Sequence, residues 1–451
     1  MPSPHGPGRA LHAIRTFAFL FAALAILSMA RPALAAPSRL SADERRLVAA
    51  VETHLAPSLA LLERLVNVNS GTYHPEGVRE VGRLLEPEFA SLGFQTRWVD
   101  GAAWGRAGHL IATRRGPKGA QRVLLIGHLD TVFEPASPFQ RFVRIDDSTA
   151  TGPGVCDMKG GDVVMLLALR ALASTHALDR LIVTAVLTGD EEAAGRPFSL
   201  SRKDLLDAAR EADIAIGFED GAGDPRTPVI GRRGATDWRL ELHAKTAHSS
   251  QILRSEVGPG AVYELARIMQ AFRDSLGAEP LLTLNPGLVL GGASLTYEIE
   301  GSRGTAAGKS NIIADTAFVK GDLRTISVEQ RERAKATMLR IARASDPHVS
   351  TKLDFDDSYP PLAPSAGNKA LLARFDTASR DLGAGPLTAA DPRNAGAADV
   401  SWTQGLTPAA IDGVGLMGTG GHTVEERADL RTLSLDAKRT ALVLARLARG
   451  R

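Results

Sequence analysis

Two glycine-framed stretches constrain this chain more than any other part of it. They are Val123-Leu-Leu-Ile-Gly-His128-Leu-Asp130-Thr-Val132 and Gly152-Pro-Gly-Val-Cys-Asp157-Met-Lys-Gly-Gly161. The first is an apolar run too short for a typical helix, so it reads as a buried strand that emerges at His128. A histidine at a strand end with Asp130 two residues on is how a metal-binding imidazole is held, because the carboxylate fixes its tautomer and orientation. The second is a loop that delivers Asp157 just before an apolar helical run, Asp162 to Ala173, and its glycines would let the backbone approach a ligand.

A further apolar strand, Leu181 to Leu187, ends on Thr188-Gly-Asp190-Glu191-Glu192. Three consecutive acids at a strand end repel one another and lose hydration, so they need a cation or water. Glu219, in Ile216-Gly-Phe-Glu-Asp, and His422, in Gly418-Thr-Gly-Gly-His-Thr, extend the set, with Asp220 as an alternative to Glu219. Histidine and carboxylate ligands without thiolates suit zinc or a similar first-row ion, and a shared carboxylate can bridge two. Asp399 is a candidate support for the His422 side.

The single cysteine, Cys156, lies beside Asp157. Nearby carboxylates raise a thiol's pKa, so it reads as a small apolar filler. At the N-terminus, Arg9 and Arg15 precede an apolar run from Thr16 to Met29 and then Ala33-Leu-Ala-Ala36. That is the pattern of a cleaved export leader, residues 1–36, and implies a secreted or periplasmic protein without a membrane anchor. The formal net charge of +2 and the 5% aromatic content argue against a nucleic-acid partner.

Elements alternate through the first half. Ser41-Ala-Asp-Glu44 is a capping box that opens a helix, expected to kink or divide at Pro57. Short strands at 96–99 and 109–113, the strand to His128, the helix after Asp157, the strand to Leu187 and a helix over 202–209 follow. Such alternation predicts an α/β fold with a mostly parallel sheet, ligands lying at its C-terminal edge. From Gly231-Arg-Arg-Gly234 the texture changes: Trp238, Leu240, Leu242 and Ala244 alternate with polar residues, as in a half-exposed antiparallel strand. Two helices and further strands, among them one from Asn311 to Arg324 and one over 294–299, complete an inserted α+β domain. The expected parts are 37–231, the insert 232–346, and 347–451. Arg232 and Arg233 add positive charge at the junction.

At this point the chain resembles the aminoacylase and glutamate-carboxypeptidase group of di-zinc hydrolases, most closely its carboxypeptidase-G-like branch. The resemblance rests on an ordered set: Gly-His-x-Asp-Thr-Val, Gly-Pro-Gly-x-x-Asp-Met-Lys-Gly-Gly, Asp-Glu-Glu and a late Gly-x-x-His. It implies a zinc-exopeptidase-type catalytic domain with an inserted dimerisation domain, two zinc ions per chain, and a homodimer. Asp157 would bridge the ions, with His128 and Glu219 completing one site and Glu192 and His422 the other. Asp130 would orient His128, and Glu191 would be the general base for a metal-activated water. His248, in Thr246-Ala-His-Ser249, would reach the partner's site, while Arg324 and, less directly, Asn311 would hold a substrate carboxylate. The implied activity releases a C-terminal amino acid from a small peptide or N-acyl amino acid. Alternatives are an N-acyl amino acid deacylase or dipeptidase with the same machinery, a phosphoesterase, and a non-catalytic metal- or peptide-binding homologue. Two departures from the family pattern stand out: Asn311-Ile-Ile-Ala314 lacks the usual proline, and Asn394-Ala-Gly-Ala-Ala-Asp399 replaces a Gly/Ser-rich segment.

Overall fold

The computed structural model describes residues 40–298 and 302–450; the expected leader over 1–36, and Ile299, lie outside them. Among the described residues no helix is long and apolar enough to cross a membrane.

The central sheet has six strands, in the order Gln95–Asp100, Gly108–Arg114, Leu181–Thr188, Gln121–His128, Ile214–Gly217 and Ala409–Ile411. The last four run parallel and the first two form an antiparallel edge. Side chains alternate between two buried faces. Val123 and Leu125 pack with the helices Ala42–Val66, Lys159–Ser174 and Leu430–Leu447, whereas Leu124 and Ile126 join Leu205 and Ala209 on the other side. A strand covered on both faces needs the continuous apolar run that the sequence shows. The fold is therefore the expected α/β class.

Parallel register then sets the site. His128 pairs with Thr188, and Ile126 pairs with Gly217, so three strands finish at one edge and deliver His128, the 190–192 acids and Glu219 together. The following helix, Lys159–Ser174, lies so close to this edge that a Cβ on Gly161 would sit 1.8 Å from the Phe218 carbonyl oxygen. That glycine serves the protein's own packing rather than the approach of a ligand.

A second, small sheet was not foreseen. Its strands run in the order Gly418–Thr419, Arg427–Asp429, Thr149–Thr151 and Val143–Arg144. Pairing of Thr151 with Arg427 fastens the loop that carries Asp157 beside the loop that carries His422.

The inserted part is an antiparallel sheet ordered Val349–Asp357, Gly234–Ala244, Thr316–Thr325 and Thr283–Gly292, with its own core of Trp238, Leu240, Phe272, Val319 and Met338. Val349–Asp357 pairs with Gly234–Ala244 along its whole length, so this sheet runs on beyond the boundary expected at 346. Asn311 does not begin a strand: it lies in a turn ahead of Thr316, where its carbonyl accepts from Ser249 N–H at 2.9 Å. Nor does Pro57 divide the first helix, which runs unbroken from Ala42 to Val66. Val51 on one side of Pro57 and Leu61, Leu62 and Leu65 on the other are buried in one core, which offsets the backbone bond a proline removes.

Candidate metal centre

His128 is fixed from one side only. Its Nδ1 lies 3.1 Å from the Asp130 carbonyl oxygen and 3.4 Å from Asp130 Oδ1. A carbonyl can only accept, so Nδ1 carries a proton, and Nε2 is the nitrogen that a metal would take once it is free of a proton. Nε2 is buried and has no hydrogen-bond partner. It faces Asp157 Oδ1 at 3.3 Å and Glu219 Oε1 at 3.6 Å. On the other side of Asp157, His422 Nε2 lies 3.0 Å from Asp157 Oδ2 and 3.2 Å from Glu192 Oε2. The structure thus forms two three-donor groups, His128–Asp157–Glu219 and Asp157–Glu192–His422, which share Asp157; within each the ligand atoms lie within 4.8 Å of one another.

Asp130 organises more than the imidazole. Its Oδ1 accepts the Glu191 N–H at 3.0 Å, and its Oδ2 accepts the Glu192 N–H at 3.2 Å and the Thr72 hydroxyl at 2.6 Å. Glu219 N–H is held by Asp412 Oδ1, whose other oxygen pairs with Arg232. Arg232 is therefore a buried partner rather than open positive charge.

Glu426, which the sequence did not single out, is fully buried beneath the Asp157 loop. One oxygen accepts the Gly154 N–H at 3.0 Å, and the other accepts those of Cys156 at 2.9 Å and Asp157 at 3.2 Å. Cys156 is buried in the same place, and burial together with Glu426 pushes its thiol well above the usual range, as a filler requires.

Two acids of this edge are held by one buried arginine. Asp190 turns away from Glu191 and Glu192 and pairs with the buried Arg202 (Nη1–Oδ1 2.6 Å). Asp399 does not support His422: it accepts from Arg202 Nε at 2.9 Å and from the Thr188 hydroxyl at 2.5 Å. Of the acids at this sheet edge, Asp190 and Asp399 go to one buried arginine, Glu192 and Glu219 to the donor groups, and Glu191 to neither.

Among the described residues no lysine or arginine pairs with Asp157, Glu192 or Glu219. Burial raises Glu219 well above the carboxylate range, with Asp157 adding to it. Burial likewise pushes Glu192 up to about 6. Burial opposes charge on His128, yet the carboxylates of Asp130 and Asp157 beside it raise its proton affinity well above normal. Asp157 and Glu192 push His422 up to about 11. Such a cluster, with buried acceptors, an unpartnered imidazole nitrogen and an unpartnered Glu192 Oε1, fits divalent cations.

His248 and Arg324 make local contacts. His248 is exposed, with Nδ1 2.9 Å from Ser250 Oγ, and Arg324 Nε donates to Asp322 at 2.8 Å. His248 is in neither donor group.

The family model described as peptidase family M20/M25/M40 matches residues 124–448, which takes in every donor named above. The chain belongs to that family. Carboxypeptidase G2 of Pseudomonas sp. (strain RS-16) is 25% identical to this chain over 80% of it and 82% of the relative. The aminopeptidase PepT of Bacillus cereus ATCC 10987 shares its fold, with a TM-score of 0.68, 19% identity, and coverage of 87% of this chain and 99% of the other. The same holds for YXEP of Bacillus subtilis, described as a dinuclear metal-binding peptidase, with a TM-score of 0.60, 14% identity, and coverage of 88% and 99%. This M20-family chain is a metal-dependent hydrolase.

Metal loading should be linked to protons. His422 at about 11 is protonated at pH 8 in the metal-free protein, and His128 is also raised. A cation must displace those protons, so affinity rises with pH and falls as pH drops. Titration calorimetry with Zn2+ in two buffers of different ionisation enthalpy should show proton release at pH 8; buffer-independent heats would contradict this arrangement.

Proposed function

We propose that this chain is a di-zinc hydrolase of glutamate-carboxypeptidase type, which releases an acidic C-terminal amino acid from a small peptide or N-acyl amino acid. One observation carries the reading: two donor groups share Asp157, while Glu191, whose main chain is fixed beside them by Asp130, belongs to neither. His128, Asp157 and Glu219 would hold one ion, and Asp157, Glu192 and His422 the other. Two imidazoles and three carboxylates without a thiolate suit zinc. Such ions, when bound, polarise a scissile carbonyl and acidify water.

The chain's own residues do the rest. Burial, and then the nearby carboxylates of Asp399, Glu192 and Asp157, raise the affinity of Glu191 for a proton. A carboxylate so placed accepts the proton of the attacking water and passes it to the leaving amine nitrogen. Asp130 holds the His128 ring through its carbonyl oxygen and the main chain of both glutamates through its carboxylate, so one residue sets ligand and base together.

The specificity rests on a cluster of cations at the head of the antiparallel sheet. Arg233 donates from Nη1 to the Thr283 hydroxyl at 3.1 Å, and its buried Nε has no partner. Burial and the charges of Arg324 and Arg393 depress its proton affinity. Crowded guanidinium groups with a free donor favour an anion, and their planar forks suit carboxylates. With N-acyl-glutamate, N-acyl-leucine and a neutral dipeptide as substrates, kcat/KM should favour the glutamate derivative by about tenfold or more. Preference for a neutral residue would move the assignment to a deacylase or dipeptidase.

His248 enters this reading through a second subunit. A groove of about 710 Å³ lies between the helix Gly260–Leu276 and the edge strand Thr283–Gly292, and Val262 and Val289 are exposed there. That apolar edge supports a homodimer in which the partner's copy of His248 completes the site. Mixing two inactive variants, His248→Ala and Glu191→Gln, should restore turnover, because the mixed dimer holds one site with both residues intact. No recovery after verified subunit exchange would argue against cross-subunit catalysis by His248.

A further inference from the structure

The peptide bond between Glu191 and Glu192 joins the proposed base to a metal-type ligand, and both of its polar groups are held by buried side chains. Its N–H donates to Asp130 Oδ2 at 3.2 Å. Its C=O accepts from the Tyr359 hydroxyl at 2.8 Å. Tyr359 does not come from the catalytic half's own strands. It follows directly on Val349–Asp357, the last strand of the antiparallel sheet. Its backbone is stitched to the start of Gly234–Ala244: Ala235 N–H donates to Tyr359 O at 2.9 Å, and Ser358 N–H to Ala235 O at 3.0 Å. Tyr359 thus sits where the chain enters and leaves the inserted part.

The hydroxyl is itself oriented. Arg202 Nη2 donates to it at 3.0 Å, which leaves the hydroxyl proton for the Glu191 carbonyl. Arg202 is fully buried. Its other nitrogens are spent on the Asp190 carboxylate at 2.6 Å and on Asp399 at 2.9 Å, and Nη2 also reaches the Asp190 carbonyl at 3.0 Å. A guanidinium held at three of its donors has no freedom to turn, so neither has the phenol that depends on it.

We propose that Tyr359 is a positioning residue: from the root of the inserted domain, its Arg202-oriented hydroxyl holds the Glu191–Glu192 peptide so that the Glu191 carboxylate faces the substrate water. The idea rests on the proposed role of Glu191. It adds a consequence for domain motion, because any displacement of the root by a bond length breaks the contact and frees the base. The base is then best aligned while the inserted domain is seated, and Asp130 alone holds the peptide otherwise.

Tyr359→Phe removes the hydroxyl and keeps the ring, which packs against Trp402 at a centroid distance of 5.8 Å. The fold and two-metal content should persist. Amide hydrogen exchange in the peptide spanning 188–196 should quicken by about tenfold, with Lys159–Ser174 unchanged, a readout that needs no substrate. On the substrate that wild type turns over, kcat should fall by roughly 10- to 100-fold, the range for a lost outer hydrogen-bond partner, with KM within about twofold. The deciding arm is a double-mutant cycle: in a Glu191→Gln background, Tyr359→Phe should cause no further loss. A merely structural tyrosine would give additive losses and a change in metal content. Unchanged exchange at 188–196, or additivity, overturns the proposal. Full turnover in Glu191→Gln alone would instead overturn the assignment of the base and the proposal with it.

Discussion

Glu191→Gln should keep both donor groups able to bind metal, keep the fold, and lower kcat by about 10²- to 10⁴-fold. The amide matches the carboxylate in size and cannot take a proton. Nothing that fixes the residue changes: Asp130 still receives the N–H at 3.0 Å, and Tyr359 still donates to the carbonyl at 2.8 Å. Glu191 is in neither donor group, so the metal count of the variant should equal that of wild type. Metal content by mass spectrometry, a thermal melt and single-turnover kinetics separate the outcomes. Turnover within about tenfold of wild type would mean that another group takes the proton; loss of metal would mean that Glu191 is a ligand.

Much of this site was legible because parallel sheets advertise their edges. An apolar run ending on His-x-Asp, and another ending on Gly-Asp-Glu-Glu, place polar clusters where strands stop, and parallel register puts those stops level. The order of strands, by contrast, was set by helix packing that no local pattern announces. The small sheet was missed because its longest strands have three residues, Thr149–Thr151 and Arg427–Asp429, too few for an alternation to register.

Glu426 was missed for the same reason. In Thr423-Val-Glu-Glu-Arg427 it reads as one of a solvated run, and only a contact spanning some 270 residues buries it. A signal existed in the Gly152–Gly161 loop: a turn of this kind presents several N–H groups with no strand to receive them, and one carboxylate is an economical acceptor. Arg202 stood only at the start of the helix expected over 202–209, where no local pattern marks it as buried. The clue was arithmetic of charge, since of three acids at one strand end the donor groups use only Glu192, and buried Asp190 needed a cation of its own. The last strand of the antiparallel sheet was readable past 346: Val349, Thr351, Leu353 and Phe355 alternate with Ser350, Lys352, Asp354 and Asp356, a two-residue period continued from the same sheet.

Asp157→Ala should be the most damaging single change in the protein, and the shared geometry says why. Asp157 Oδ1 serves the His128–Glu219 group and Oδ2 serves the His422–Glu192 group. Removing it takes one donor from each group and leaves two donors apiece, below what holds zinc in a hydrolytic site. Glu219→Ala and Glu192→Ala each take one donor from one group only. Metal analysis after gel filtration should therefore show about no tightly held zinc for Asp157→Ala and about one ion per chain for each of the other two, against two in wild type. Activity of Asp157→Ala should fall by at least about 10³-fold, the equivalent of the several kcal/mol that metal ions supply to a carbonyl transition state. The loop itself should survive, because Glu426 binds the N–H of residue 157 rather than its side chain, and the N–H groups of Gly154 and Cys156 besides. A variant that folds, melts as wild type and still holds one ion would show that Asp157 serves a single metal and that the two groups are independent.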